Sequence, residues 1–233
     1  MFVGHFGLAF AAKRWARDTS LGLLVMAAEL LDFIWPVLVL TGREHFRIVP
    51  GITAVNAFDF YDYPISHSLL TSITWGAALA IIYWLTRRRG RAALVLGALV
   101  VSHWVLDFVS HRPDMPLVPG STVVVGLGLW NHRALTIIVE VALFGVCVLS
   151  YAKATRAKDR IGLFALWSLV SALLVFYFAS LFAPVPQSTA RVAWGTIGVW
   201  LFVAWSWWAD AHRTLTATKT PPGNSGGAFS KGE

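Results

Sequence analysis

The sequence predicts an all-α integral membrane protein of about six transmembrane helices, preceded by a short interfacial or re-entrant helix. Three observations carry this expectation. Of 233 residues, 57% are hydrophobic and only 13% charged, too few charges to cover a soluble domain of this size. Six apolar stretches approach the roughly 20 residues needed to cross a ~30 Å hydrocarbon core. The cations, finally, fall in short clusters between alternate pairs of these stretches, the pattern of cytoplasmic loops.

The first dozen residues, MFVGHFGLAFAAKR, are apolar with a basic end. They are too short to span, and a signal peptide would carry its charge first, so a retained helix dipping into the bundle and carrying His5 is expected. The spans are expected over residues 21–41, 67–86, 92–110, 134–151, 161–183 and 192–209, with Pro36 kinking the first. Lys13, Arg14 and Arg17 precede the first span, Arg87, Arg88, Arg89 and Arg91 join the second to the third, and Lys153, Arg156, Lys158 and Arg160 join the fourth to the fifth. Arg213 and Lys219 follow the sixth, so all four clusters share one side and both termini are expected in the cytoplasm. Residues 1–213 read as a single membrane domain. Residues 214–233, rich in Pro, Gly and Ser, read as a disordered tail, partly an appended linker whose closing SKGE resembles the opening of green fluorescent protein.

The net charge of +7 would suggest nucleic acid in a soluble protein, but the membrane pattern accounts for it, so the expected partner is the lipid bilayer and not a nucleic acid. Cys147 stands alone in an apolar run and reads as a small buried hydrophobe. The tryptophans at 205, 207 and 208 read as interfacial anchors.

Ionisable side chains at membrane depth are costly, so each needs a partner and is a functional candidate. The densest group is SHWVLDFVSHRPD. His103, Asp107 and His111 stand at i, i+4 and i+8, within an arc of about 80° and about 6 Å apart along the axis, a spacing at which His and carboxylate can share an ion. One such His is usually a satisfied contact between helices; three groups in register favour a metal or catalytic site. Pro113 stops the helix and leaves Asp114 at the mouth, on the side away from the arginine clusters. In AFDFYDYPISHSLL, Asp59 and Asp62 read as caps for the second span, while His67 falls at the depth of Asp107 and His111. Asp32, in LLDFIWP, lies past the middle of the first span and must be either protonated or paired there, a metal or a protonated His being the natural partner. Glu29 is one turn nearer the cytoplasm, placed equally to support a ligand from behind or to relay a proton. Glu140 and Asn131 are lesser candidates, and His45, His132 and His212 read as solvated. Imidazole with carboxylate and no thiolate suits zinc, and also manganese, nickel or iron.

GHFGLAFAAKR, LLDFIWP, PISHSLL and SHWVLDFVSHRPD together resemble the YdjM-like inner-membrane metal-dependent hydrolases over roughly the first 135 residues. That family is grouped distantly with the zinc-dependent phospholipase C and single-strand nuclease enzymes, all-helical proteins that hold zinc with clustered His and Asp. The resemblance implies a bacterial inner membrane location and a ligand set of His5, Asp32, His67, His103, Asp107 and His111. The leading expectation is a membrane-embedded hydrolase that opens to the outer face and cleaves a phosphoester or related bond, plausibly in a lipid. Water would be activated there, with Asp107, Asp114 or Glu29 as general base. The alternatives are a transporter or channel passing protons or metal ions along the same residues, and a binding module with a structural metal.

Overall fold

The computed structural model describes residues 1–216. Apolar periodicity yields ten helices there: α1 (Val3–Ala12), α2 (Leu21–Ala28), α3 (Leu30–Leu40), the single turn α4 (Pro64–His67), α5 (Leu69–Arg87), α6 (Gly90–Ser110), α7 (Arg133–Ala154), α8 (Arg160–Phe182), α9 (Thr189–Ile197) and α10 (Trp200–Ala211). Five units are long and apolar enough to cross a membrane, and the bent pair α2–α3 makes a sixth. α9 and α10 count as one of these, because Gly198 and Val199 between them keep near-helical backbone angles. Ile81, Ile82 and Leu85 on α5 are more than half exposed. In water such a face would be a liability; against hydrocarbon it costs nothing.

Several expectations are corrected. The first span bends by 53°, but at Glu29, whose φ of −99° and ψ of 6° interrupt the helix, and not at Pro36, which sits inside α3. The second span begins at Leu69 rather than at residue 67, because Ser68 is extended and its hydroxyl accepts from Thr71 N at 3.2 Å as a new N-cap. The fold is mostly rather than wholly helical: β1 (His45–Ile48) pairs with β2 (Phe58–Asp62), β3 (Met115–Pro116) with β4 (Val124–Val125), and β5 (Thr155–Ala157) with β6 (Arg213–Leu215), all antiparallel. Residues 214 and 215, expected to open the tail, therefore belong to a strand; the tail from 217 onward lies outside the described residues.

α1 is buried rather than interfacial. Val3, Phe6, Ala9 and Phe10 are fully enclosed, packed against α2, α6 and α7. A helix start buried among apolar side chains leaves N–H groups to satisfy. Glu140 on α7 meets them, accepting from Phe2 N at 2.8 Å and Gly4 N at 3.4 Å.

The basic clusters gather at one end of the bundle. There Arg89 pairs with Asp18 at 2.9 Å, Lys13 with Asp210 at 2.7 Å, Arg17 donates to the Thr216 carbonyl at 2.6 Å, and β5 pairs with β6. The β1–β2 and β3–β4 hairpins close the opposite end. α5 and α6 form an antiparallel pair that crosses at Gly76 and Gly97, where a Cβ on Gly76 would lie 2.7 Å from the Gly97 carbonyl oxygen.

Candidate metal centre

The bundle brings six sequence-distant candidates together near its hairpin end. α6 supplies His103 and Asp107 one turn apart, α3 supplies Asp32, α4 supplies His67, α1 supplies His5, and His111 caps α6. All are buried apart from Asp32, whose side chain is 31% exposed.

Asp107 divides the cluster. Its Oδ2 lies 3.2 Å from His103 Nε2 and 3.8 Å from His67 Nε2. Asp32 Oδ1 in turn lies 3.4 Å from His67 Nε2 and 3.8 Å from His103 Nε2. Asp107 Oδ1 faces the other way, 3.1 Å from His5 Nε2 and 4.0 Å from His111 Nε2. The Met1 α-amino nitrogen also pairs with Asp107 Oδ1, and lies 3.0 Å from Ser110 Oγ. His5 stacks flat on His103, ring centroids 3.7 Å apart.

The tautomers of the two central imidazoles follow from their outer partners. His103 Nδ1 lies 2.7 Å from the Ala28 carbonyl oxygen, which can only accept, so Nδ1 carries the proton and the neutral ring turns its Nε2 lone pair into the cluster. That Nε2 has no hydrogen-bond partner. For His67 the same result comes through a relay. Ser66 Oγ donates to Glu44 Oε2 at 2.6 Å and therefore accepts from His67 Nδ1 at 2.7 Å. Glu44, fully buried, also accepts from the Ile65 and Ser66 amides at 2.7 and 2.8 Å. It thus performs the capping expected of Asp59 and Asp62. Those two pair elsewhere: Asp62 with His45 at 2.8 Å, and Asp59 with Arg47 at 2.5 Å and with Arg112.

Two neutral imidazole lone pairs aimed at two carboxylates repel unless positive charge or a proton lies among them: a metal ion, a proton on a ring or a carboxyl, or in part the Met1 ammonium already paired with Asp107. The donors fit a metal as two triads that share His103, Asp32–His67–His103 and His5–His103–Asp107, each with its ligand atoms within 4.8 Å of one another. A tetrahedral ion with bonds of about 2.0–2.1 Å sets its ligand atoms about 3.3–3.4 Å apart, and the four His–carboxylate separations among Asp32, His67, His103 and Asp107 run from 3.2 to 3.8 Å. Outer-partner bonds of the kind made by Ala28 and Ser66 are the usual support of metal-ligating imidazoles.

His111 is brought to the edge of the centre. Its Nδ1 lies 3.0 Å from Asp114 Oδ1 and its ring 4.2 Å from that of Trp130, while its N–H still bonds the Asp107 carbonyl at 2.7 Å, so it keeps the α6 register and only the chain beyond it departs. Asp114 is not an open mouth group but is buried, with Arg112 Nε 3.2 Å away and the Tyr63 hydroxyl at 3.3 Å. Burial, and then the Asp114 carboxylate, push the Tyr63 phenol well above its ordinary range, so it acts as a neutral donor. Glu29 is buried at the break between α2 and α3, beside the Ala28 carbonyl that orients His103, with one oxygen unpartnered. Glu140 is committed to α1, and Asn131 and His132 are exposed. Glu44, Ser66 and Tyr63 are the site residues that sequence reasoning missed. The legible signal was the adjacency of Ser66 to His67; nothing local marked Glu44.

No protein-family model, no curated protein and no solved structure matches this chain.

Proposed function

We propose that the chain is a multipass protein of a bacterial inner membrane, with both termini in the cytoplasm, and that its His/Asp centre serves hydrolysis of a phosphoester or related bond, plausibly in a lipid. A divalent transition metal, zinc by its ligand chemistry, would be held by Asp32, His67, His103 and Asp107, with His5 and His111 flanking. The observation that carries this reading is the pair of Nε2 lone pairs turned by Ala28 and by the Ser66–Glu44 relay toward two carboxylates. The resemblance to the YdjM-like hydrolases rests on the same residues and points the same way.

When bound, such a metal supplies Lewis acidity for water activation and for charge developing on a phosphoryl or acyl oxygen. The chain's own residues supply the rest. Of the three acids expected as bases, Asp107 lies within the ligand set and Asp114 is held by Arg112 and Tyr63. Glu29 keeps an unpartnered oxygen and is the acid best placed to take a proton. The partial exposure of Asp32 makes its side the approach to the centre.

Passage of protons or ions is the second reading. It is favoured by the place of Glu29, toward the basic end from the cluster, where it extends the polar groups beyond a one-sided cavity.

Both readings meet one experiment. The full chain is purified in mild detergent without chelator, and bound metals are counted by inductively coupled plasma mass spectrometry beside His103→Ala/Asp107→Ala. One or more equivalents of zinc or a similar ion, lost in the variant, together with chelator-sensitive cleavage of a phosphodiester lipid, is the expected result. Metal-free wild-type protein would sink the hydrolase reading and leave protons as the cations of the cluster.

A further inference from the structure

An apolar groove of about 330 Å³ runs along α2 and α3, from Met26 past Phe33, Ile34 and Val37 to Leu38, and is bounded on its far side by Trp200. Its volume falls at the lower end of ligand cavities, roughly 300–1,000 Å³. The groove lies where packing partners change: α10 packs along α2, whereas beyond the 53° bend α3 packs on α9. Trp200 and Phe33 meet across it with ring centroids 4.5 Å apart, and Val37 on its rim is 49% exposed.

Its length and its end are informative. The thirteen residues from Met26 to Leu38 straddle the 53° bend, so the groove spans about 16 Å rather than the ~18 Å of a straight helix, close to one leaflet of a ~30 Å hydrocarbon core. Beyond Leu38, Arg43 N donates to the Leu38 carbonyl at 2.8 Å, which fixes Arg43 at the groove's end. Arg191 stands in the first turn of α9, the helix packed on α3. Both arginines are exposed. Among the described residues the arginines paired with carboxylates are Arg47, Arg89 and Arg112, and Arg43 and Arg191 are not among them. An apolar slot about one leaflet long, with Arg43 following its end and Arg191, whose guanidinium donates to Gln187 at 2.7 Å, on the helix packed beside it, is complementary to an anionic amphiphile, since guanidinium matches phosphate in geometry as well as in charge.

We infer that the groove binds one anionic phospholipid, an acyl chain lying along Ile34 and Val37 and the phosphate seated at Arg43 and Arg191. This rests on the reading of the chain as a membrane protein and is independent of the metal centre. Each arginine near an anionic headgroup favours it by about fivefold.

The test is native mass spectrometry of the full chain in mild detergent, presented with equimolar phosphatidylglycerol and phosphatidylcholine. The wild type should retain one phospholipid, with phosphatidylglycerol preferred by about 25-fold, about fivefold for each arginine. Ile34→Trp, which fills the slot, should lose the adduct. Arg43→Gln/Arg191→Gln, confined to the surface and so independent of whether Ile34→Trp folds, should keep the adduct and lose the preference. An absent adduct, an adduct indifferent to headgroup in the wild type, one unchanged by Ile34→Trp, or a lipid-free dimer that Ile34→Trp disperses would each overturn the inference. Extraction of the chain from membranes by alkaline carbonate would refute the membrane reading itself, whereas a chain retained in membranes without an adduct would refute the groove alone.

Discussion

Replacing Glu44 by Gln exchanges one oxygen for an amide nitrogen some distance from any proposed ligand, yet it reverses a chain of donors. The remaining side-chain oxygen still accepts from the Ile65 and Ser66 amides, as Glu44 Oε1 does at 2.7 and 2.8 Å, so the α4 turn keeps its cap. The new NH₂ group faces Ser66 Oγ, where the carboxylate accepted at 2.6 Å. Ser66 must then accept from that NH₂ and donate its own proton to His67 Nδ1, 2.7 Å away. The neutral His67 ring is thereby shifted to the Nε2–H tautomer, and a donor replaces the lone pair in the cluster. Losing an outer partner of a metal-ligating imidazole costs about 10–100-fold in affinity, or about 1.4–2.7 kcal/mol. Titration of the purified protein with zinc against a competing chelator reads this directly, and an unchanged thermal midpoint would show that the fold survives. Ser66→Ala frees His67 Nδ1 without imposing a tautomer, so its loss should be the smaller. Equal zinc affinity in wild type and Glu44→Gln would refute the relay even if the metal centre itself stands.

Three further outcomes follow from the fold. Gly76→Val should lower the unfolding midpoint in detergent by the equivalent of about 1–3 kcal/mol, the cost of overpacking a close crossing, because its Cβ would stand 2.7 Å from the Gly97 carbonyl oxygen; full retention of the midpoint would mean that α5 and α6 do not meet there. The Asp159 carboxyl is held below its ordinary range by the hydrogen bond from His212 and by the Gly162 amide, so its contribution is present above the unfolded carboxyl's pKa near 3.8 and is lost as pH falls through the lower folded value. Asp159→Ala should therefore be less stable than wild type at neutral pH, with the gap closing below about pH 4, and a gap independent of pH would contradict the assignment. Lys13→Met leaves Asp210, 11% exposed, without its 2.7 Å cationic partner but still accepting from Tyr151 at 2.7 Å and Leu21 N at 3.1 Å, and should destabilise by about 1–3 kcal/mol; the same thermal assay measures it, and a loss under about 0.5 kcal/mol would mean that the pair behaves as a surface one.

The spans and the basic end were legible because hydropathy and charge are sums over many residues, which no single contact overturns. His103 and Asp107 were legible because a helix converts a spacing of four into proximity, and His67 because depth can be counted from a span's end. Glu44 was not. It lies in a loop and reaches Ser66 across 22 positions, a separation set by the β1–β2 hairpin and not by any local period. The hairpin itself left a trace in HFRI and FDFYD, where alternate aromatic positions put Phe46, Phe58 and Phe60 against one another, but an acidic loop leading into a span reads equally as a cap. Pro36 misled as a kink site: as the seventh residue of α3 it removes the bond to the Asp32 carbonyl, yet α3 runs through it to Leu40 and the bend falls at Glu29. His111 keeps the i+8 register as the C-cap of α6, but its ring turns to Asp114 and Trp130 because the chain leaves the helix there.

The burial of α1 has a consequence for biogenesis. Its ten residues precede in the chain most of the surface they cover: α6, whose Asp107 meets His5, and α7, whose Glu140 receives the start of α1. Until those two helices are laterally assembled, α1 has only α2 to dock on, so it waits for helices made after it, and the His/Asp centre comes together only when they arrive.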